Sequence, residues 1–177
     1  MPLLGKSPFL RPSAAVLFAA LLACACARID PGLRRIDSLV RQLRAGQDGM
    51  LAVAMGVEES SFYPAGTEMI ARSDSSGVRK IELTAIGDMG RTEEDFFFSD
   101  GELKYCERRI WRNARGNDAG GSESTGYYFK EGRISGAIDL LSGKRSQPSV
   151  QLSSEGPPVA ERAYQLLRLA VNGSGER

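Results

Sequence analysis

The sequence predicts an α+β protein, an antiparallel β-meander of about six strands with an N-terminal and a C-terminal helix packed on it. The strongest observation is an internal repeat, in which the pattern of Phe96–Leu103 returns as Tyr127–Ile134, 31 residues later. Each copy has three aromatic residues, then a polar residue, an acid, a glycine, a polar residue and an aliphatic residue. The segments 31–45 and 158–171 flank the repeats and carry apolar residues at helical spacing. We expect one domain over 31–171 and a disordered tail over 172–177.

The chain begins with a segment typical of an export signal. Lys6 and Arg11 precede a ten-residue apolar run over 14–23, and Arg28 and Asp30 follow it closely. A secretory signal has a cationic start, about 7–15 apolar residues and a small-residue cleavage site. A spanning helix needs roughly 17–25 apolar residues, so we expect residues 1–23 to be a removable signal peptide.

The end of this segment, Leu21–Cys24, resembles the lipobox of bacterial lipoproteins. The resemblance implies a palmitate-type lipid anchor on Cys24, a lipidated tether over 24–30 and a membrane-lipid partner. Ala25 stands where an inner-membrane retention aspartate would be, which implies the outer membrane, facing the periplasm. Two alternatives stay open, a second frame ending at Cys26 and an ordinary signal peptide cut near Ala25 or Ala27.

The elements before the repeats follow from local patterns. Asp30 and Pro31 suit the N-cap and first position of a helix over 31–45. The apolar run Met50–Val57 fits either a buried strand or a short helix, because periodicity does not separate the two. A weaker hairpin is predicted around the turn Asp74–Gly77.

Each repeat predicts a tight hairpin, because an acid-glycine pair supplies the positive φ angles that a two-residue turn requires. With Asp100 and Gly101 as the turn, regular pairing places the side chains of four residues on one face: Phe96, Phe98, Leu103 and Tyr105. Regular pairing in the second copy sets Phe129 opposite Ile134 and Tyr127 opposite Gly136, and places Ile134, Ile138 and Leu140 on one face.

This aromatic hairpin pattern resembles that of many bacterial lipoproteins of unassigned role, whose strands carry Tyr-Tyr-Phe-x-x-Gly-x-Leu. It is also similar to MORN-type hairpin repeats. The resemblance covers about 95–140 and implies no catalytic residues. After it, Pro157 and Pro158 are predicted to open the C-terminal helix.

Composition narrows the functional classes. The chain has no histidine, which removes the commonest general base and most catalytic zinc sites. Loss of residues 1–23 removes two of the 23 basic residues and none of the 22 acids, so the net charge becomes −1. We therefore expect no enzyme activity, no metal, no cofactor and no nucleic-acid partner. Cys106 can pair with Cys26 outside the cytoplasm, although a free, partly buried thiol is the expected state.

One candidate ligand or partner patch lies in the first repeat, formed by Arg108, Arg109, Trp111 and Arg112. Basic residues beside an aromatic ring can bind anionic groups. The acidic run Glu93–Asp95 faces this patch across the hairpin, and we expect it to be solvated and to neutralise the arginines.

These observations favour a membrane-anchored envelope lipoprotein that acts by binding or by structural interaction, with an envelope protein as a candidate partner. The alternative is a carrier of a lipid or other apolar ligand on a concave face of the sheet. A hydrolase that uses carboxylates alone would require two acids converging in a cleft.

Overall fold

The structure, a computed structural model, describes residues 30–57, 66–88, 90–113 and 120–174. Cys24, Cys26 and the remainder of the export segment lie outside these residues. The described residues after Pro31 belong to one compact unit. The elements, in chain order, are helix α1 (Pro31–Ala45), a short 3-10 helix (Gln47–Gly49), strands β1 (Leu51–Val57), β2 (Thr67–Asp74), β3 (Gly77–Gly87), β4 (Gly90–Ser99), β5 (Glu102–Arg112), β6 (Ser122–Lys130), β7 (Arg133–Asp139) and β8 (Arg145–Ser146), and helix α2 (Val150–Ser174).

The eight strands form a single sheet in which every strand pairs antiparallel with its neighbour in sequence. The predicted α+β class and antiparallel meander are confirmed, whereas the predicted number of about six strands is wrong and the placement of the helices differs from the prediction. The open question at Met50–Val57 is resolved, since Leu51–Val57 is a strand. Strand β8 has only two polar residues, Arg145 and Ser146, and therefore gives no periodic pattern to detect.

Both predicted hairpin turns are present. Asp100 and Gly101 have φ angles of 55° and 73°, and Glu131 and Gly132 have 53° and 73°. Two consecutive residues at positive φ define the type I′ turn that matches the twist of the flanking strands. The second pairs from the turns, Phe98 with Leu103 and Phe129 with Ile134, are also as predicted.

Beyond these pairs the predicted register is wrong, because each hairpin contains a β-bulge. The register shifts between Phe97 and Phe98 and again between Tyr128 and Phe129, so that Lys104 and Ser135 are extra residues. An extra residue reverses the alternation of all later side chains on its strand. Phe96 therefore faces Cys106 rather than Tyr105, and Tyr127 faces Ala137 rather than Gly136. Tyr105 and Ile138 lie on the opposite face from the one predicted.

The two helices pack on opposite faces of the sheet, which is therefore the middle of three layers. Consecutive aromatic residues cause this arrangement, because alternate side chains of a strand point to opposite faces. Phe96 and Phe98 pack towards α2, and Phe97 packs towards α1. The α2 side holds the larger core, which includes Met69, Ile81, Leu103, Cys106, Phe129, Ala163 and Leu166. The α1 side buries Val40 and Leu43 against Phe97, Tyr105 and Tyr128.

The C-terminal helix is longer than predicted. It begins at Val150, so Pro157 and Pro158 lie inside it rather than at its start, and it continues to Ser174. Residues 172–174, predicted as tail, are therefore helical, and 175–177 lie outside the described residues. Among the helices of the described chain, none combines the length and the apolar character needed to cross a bilayer.

Candidate functional site

A cavity of about 510 Å³ lies on the α2 side of the sheet, beside the aromatic core. Three rows of residues across strands β3, β4 and β5 form its floor. The registers of these strands give the rows as Leu83, Glu94 and Arg108, then Ala85, Thr92 and Ile110, then Gly87, Gly90 and Arg112. Arg162 of α2 forms part of its wall, and we call this cavity the groove.

The floor of the groove changes character from one strand to the next. Strand β3 contributes only the small or apolar residues Leu83, Ala85 and Gly87. Strand β5 contributes two cations, Arg108 and Arg112, with Ile110 between them on the same face. The groove therefore presents an apolar side and a cationic side to anything that enters it.

A buried ion cluster lies at the end of the groove nearest the core. Glu94 is 3 % exposed, and its Oε1 accepts hydrogen bonds from Nε of Arg108 and Nη2 of Arg162, each at 2.8 Å. One carboxylate between two guanidinium groups leaves this cluster with a formal charge of +1. Burial alone would lower the pKa of Arg108, but the charge and hydrogen bond of Glu94 outweigh it, and the pKa lies above its ordinary value.

Cys106 lies next to this cluster, within the core on the α2 side. Its thiol is free and fully buried. Burial raises its pKa well above the ordinary value, and the nearby Glu94 carboxylate acts in the same direction. A thiol with a raised pKa is a poor nucleophile, because the thiolate is the reactive form.

The rim of the groove carries exposed groups. Trp111 is 38 % exposed, but its ring lies on the α1 side of β5, 5.9 Å from the guanidinium carbon of Arg91, which pairs with Glu93. Arg112 forms an ion pair with Glu123, and both side chains are more than half exposed, at 56 % and 57 %. An ion pair this exposed is weak, because water screens both charges.

A second, smaller cavity of about 220 Å³ adjoins the groove on the other side of β5 and shares Arg108, Ile110 and Arg112 with it. Its remaining lining is polar and includes Glu123 and Glu155. The hydroxyl of Tyr127 donates to Oε2 of Glu155 at 2.9 Å. Burial, followed by this hydrogen bond, raises the pKa of Tyr127 to about 12.

The structure divides the predicted patch between the two faces of the sheet. The side chains of Arg108 and Arg112 line the groove, whereas that of Trp111 lies on the α1 side. Arg109 is on the α1 side, where it pairs with Glu107 and, at 3.5 Å, with Glu93. The expectation that acids neutralise the arginines is confirmed for Arg109, which pairs with both of these glutamates.

The acidic run Glu93–Asp95 is not the uniformly solvated strip that was predicted. Alternation places Glu94 in the buried cluster under α2, whereas Glu93 and Asp95 lie on the α1 side. Asp95 forms a 3.4 Å ion pair with the buried Lys80. Burial raises the pKa of Asp95, and Lys80 opposes that increase. In the described part of the chain, no group of three or more acidic, cysteine or histidine side chains could hold a metal ion.

The aromatic triplets of the two repeats are core residues. Phe96–Phe98 are fully buried, and none of Tyr127–Phe129 is more than 5 % exposed. The sequence reasoning did not identify Leu83, Ala85, Thr92 or Arg162 as groove residues. One signal was available, the alternation of Arg108, Ile110 and Arg112 along β5, which indicates an apolar position between two cations on one face.

Comparison of the chain with protein-family models, with curated proteins and with solved structures found no match.

Proposed function

We propose that this chain is a lipid-anchored protein of the cell envelope, held by an acylated Cys24 in the outer membrane and facing the periplasm. It acts without catalysis, by binding a ligand or a partner in the groove. The lipobox-like segment Leu21–Cys24 and the absence of histidine from the sequence support this proposal.

The observation that carries the binding role is the groove itself. Its volume, about 510 Å³, falls within the roughly 300–1,000 Å³ that ligand sites in proteins occupy. Such sites combine an apolar surface with a few polar groups that orient the ligand. Leu83, Ala85 and Ile110 supply the apolar surface, and arginines supply the polar groups.

The ion pairing of the groove favours binding over acid-base chemistry. Glu94, the acid in its floor, already accepts hydrogen bonds from two arginines. A carboxylate that acts as general acid or base must reach the reacting proton directly. Glu94 is instead part of a fixed cluster that shapes the electrostatic potential of the site.

The second candidate function is a carrier of a lipid or other apolar ligand, and the apolar side of the groove favours it. The aromatic triplets are packed in the core and do not supply such a surface. The groove gives an apolar ligand a location over Leu83, Ala85 and Ile110.

Photo-crosslinking in intact cells tests the binding role. A photoreactive side chain replaces Thr92, which lies in the floor of the groove. Thr84 is the matched control, because it is also a half-buried strand threonine but pairs with Glu93 on the α1 side. We expect an adduct at position 92 and none at position 84, and the mass of the adduct distinguishes a protein partner from a small apolar ligand.

Equal labelling at the two positions, or none at position 92 in a folded variant, would contradict a binding role for the groove. Folding of both variants is checked by thermal unfolding, with the melting temperature of the unmodified chain as reference.

A further inference from the structure

We infer that the ligand of the groove is an amphiphile with an anionic head group, such as an acyl chain that ends in a carboxylate or a phosphate. The inference rests on the proposed function and names the class of ligand. It is carried by the separation of an apolar side and a cationic side within one cavity.

The charges around the groove are unequal. Among the residues that line it, three arginine side chains lie on the groove face of the sheet or on α2, Arg108, Arg112 and Arg162, against two acids, Asp88 and Glu94. A surplus of positive charge in a partly enclosed site attracts an anion, because field lines are concentrated between walls of low dielectric constant. The same surplus disfavours a ligand whose only charge is an ammonium group.

The head group binds at the rim, beside Arg112. Arg112 pairs with Glu123 in a highly exposed position, so a ligand carboxylate or phosphate replaces a weak interaction when it binds there. A guanidinium group presents paired donors that match both kinds of head group. Arg108 and Arg162, by contrast, are already bonded to the buried Glu94.

The apolar part of the ligand extends inward from the rim. Ala85 and Ile110 lie one row inside Arg112, and Leu83 lies one row further. Adjacent rows on a strand face are about 7 Å apart, so the Leu83 row lies about 14 Å inward from Arg112. The positive cluster of Glu94, Arg108 and Arg162 lies at the inner end of this path.

The sole tryptophan of the chain is a built-in reporter, because Trp111 lies in β5 between two groove residues, Ile110 and Arg112. The natural protein, purified with its own anchor, is placed in phosphatidylcholine nanodiscs. The probe is a fluorescent polyunsaturated fatty acid that accepts energy from tryptophan. Its uncharged methyl ester is measured in parallel, and a lysophosphatidate tests a phosphate head group by competition.

We expect the acid to bind about tenfold more tightly than its ester, because one charge-assisted hydrogen bond accounts for an affinity difference of that size. Arg112→Gln should lower this acid-to-ester ratio by about fivefold or more. Arg133→Gln is the control, because Arg133 is also an exposed strand arginine but does not line the groove. It should leave the ratio unchanged. Competition by fatty acid but not by lysophosphatidate would assign a carboxylate head group, and the reverse would assign a phosphate.

Equal affinity for the acid and the ester, or an unchanged ratio in Arg112→Gln, would overturn the anionic head group while leaving an apolar-ligand site in place. Absence of energy transfer from Trp111 to either probe would overturn the amphiphile inference as a whole. The proposed function is tested separately, by the crosslinking comparison of positions 92 and 84.

Discussion

Gly126 allows the side chain of Tyr105 to lie close against the neighbouring strand. A Cβ atom at Gly126 would lie 2.1 Å from the Tyr105 hydroxyl oxygen and 2.7 Å from the ring carbon that carries it. It would also lie 2.9 Å from a methyl carbon of Ile138. The aromatic contact between Tyr105 and Tyr128, with ring centroids 5.1 Å apart, is part of the same packing. Glycine is therefore required here for space.

Gly126→Ala should lower the free energy of unfolding by about 1–3 kcal/mol, because the added methyl group overpacks the core on the α1 side. Denaturant unfolding measures the change. Gly56→Ala is the matched control, since Gly56 is also a strand glycine and nothing lies within 4 Å of the position of its Cβ. A Gly126→Ala variant as stable as Gly56→Ala would show that Tyr105 does not pack as described.

Residue-level pairing was predictable only close to the turns. Asp100–Gly101 and Glu131–Gly132 identify two-residue turns, because few other sequences tolerate two positive φ angles in succession. Lys104 and Ser135 are ordinary polar residues, and nothing in their identity marks a bulge. The bulges are therefore found only in the structure.

The same irregularity occurs in a third hairpin, where the register shifts between Arg72 and Ser73 and Arg79 is the extra residue. In all three hairpins the extra residue is the third residue of the returning strand. Bulges increase the local twist of a strand. The structure thus contains three related hairpins, of which sequence similarity showed two.

At the scale of elements, α1 is held to the sheet by polar contacts as well as by its apolar stripe. Asp37 accepts a 2.7 Å hydrogen bond from the hydroxyl of Tyr128 and forms a 2.8 Å ion pair with Nη2 of Arg145. Near the other end of the helix, Arg44 forms an ion pair with the buried Glu107. Burial, followed by the bond to Asp37, raises the pKa of Tyr128.

Asp37→Ala should destabilise the protein by about 1–3 kcal/mol, because it leaves the buried Tyr128 hydroxyl without its acceptor and Arg145 without its counter-ion. Asp48→Ala, at an exposed acid of the 3-10 helix, provides the comparison and should change stability little. Urea unfolding of the two variants decides the point. Equal midpoints would mean that α1 is held by its apolar stripe alone.

The helices were predictable as elements, but their positions were not. Apolar spacing and Asp30-Pro31 predict α1 with the bounds that the structure gives. The same proline rule fails at α2, which begins seven residues before Pro157. Each helix covers a face of the sheet on which side chains of the aromatic triplets are buried. The predicted hairpins placed the apolar side chains on one face only, so they did not indicate that the helices lie on opposite faces.

At the scale of the whole molecule, both faces of the sheet are used for core packing, and the groove occupies the part of the α2 side beyond that core. Its position follows from strand register and from the placement of α2, which is why Arg162 and Glu94 come together across 68 positions of sequence. The arginines of β5 were identifiable from sequence as a candidate patch. The sequence did not show that these arginines are divided between the two faces of the sheet, or that a cavity lies on the α2 face.

The proposed envelope location depends on the export segment rather than on the fold. The proposed acylation of Cys24 would attach more than one hydrocarbon chain, and each buried methylene contributes about 0.8 kcal/mol to membrane binding. Cys24→Ser should abolish incorporation of labelled palmitate. Cys26→Ser is the matched control, two residues away, and should retain the label. If the label is lost in Cys26→Ser instead, the second lipobox frame is the one in use.

Native mass spectrometry of the protein purified from its own membranes is the most direct test of a lipid-anchored binding protein. We expect a covalent mass that corresponds to a chain beginning at Cys24 with an attached diacylglyceryl group, together with a noncovalent amphiphile that is released on activation. An unmodified 19.1 kDa chain that still begins at Met1 would contradict the anchor and, with it, the envelope role.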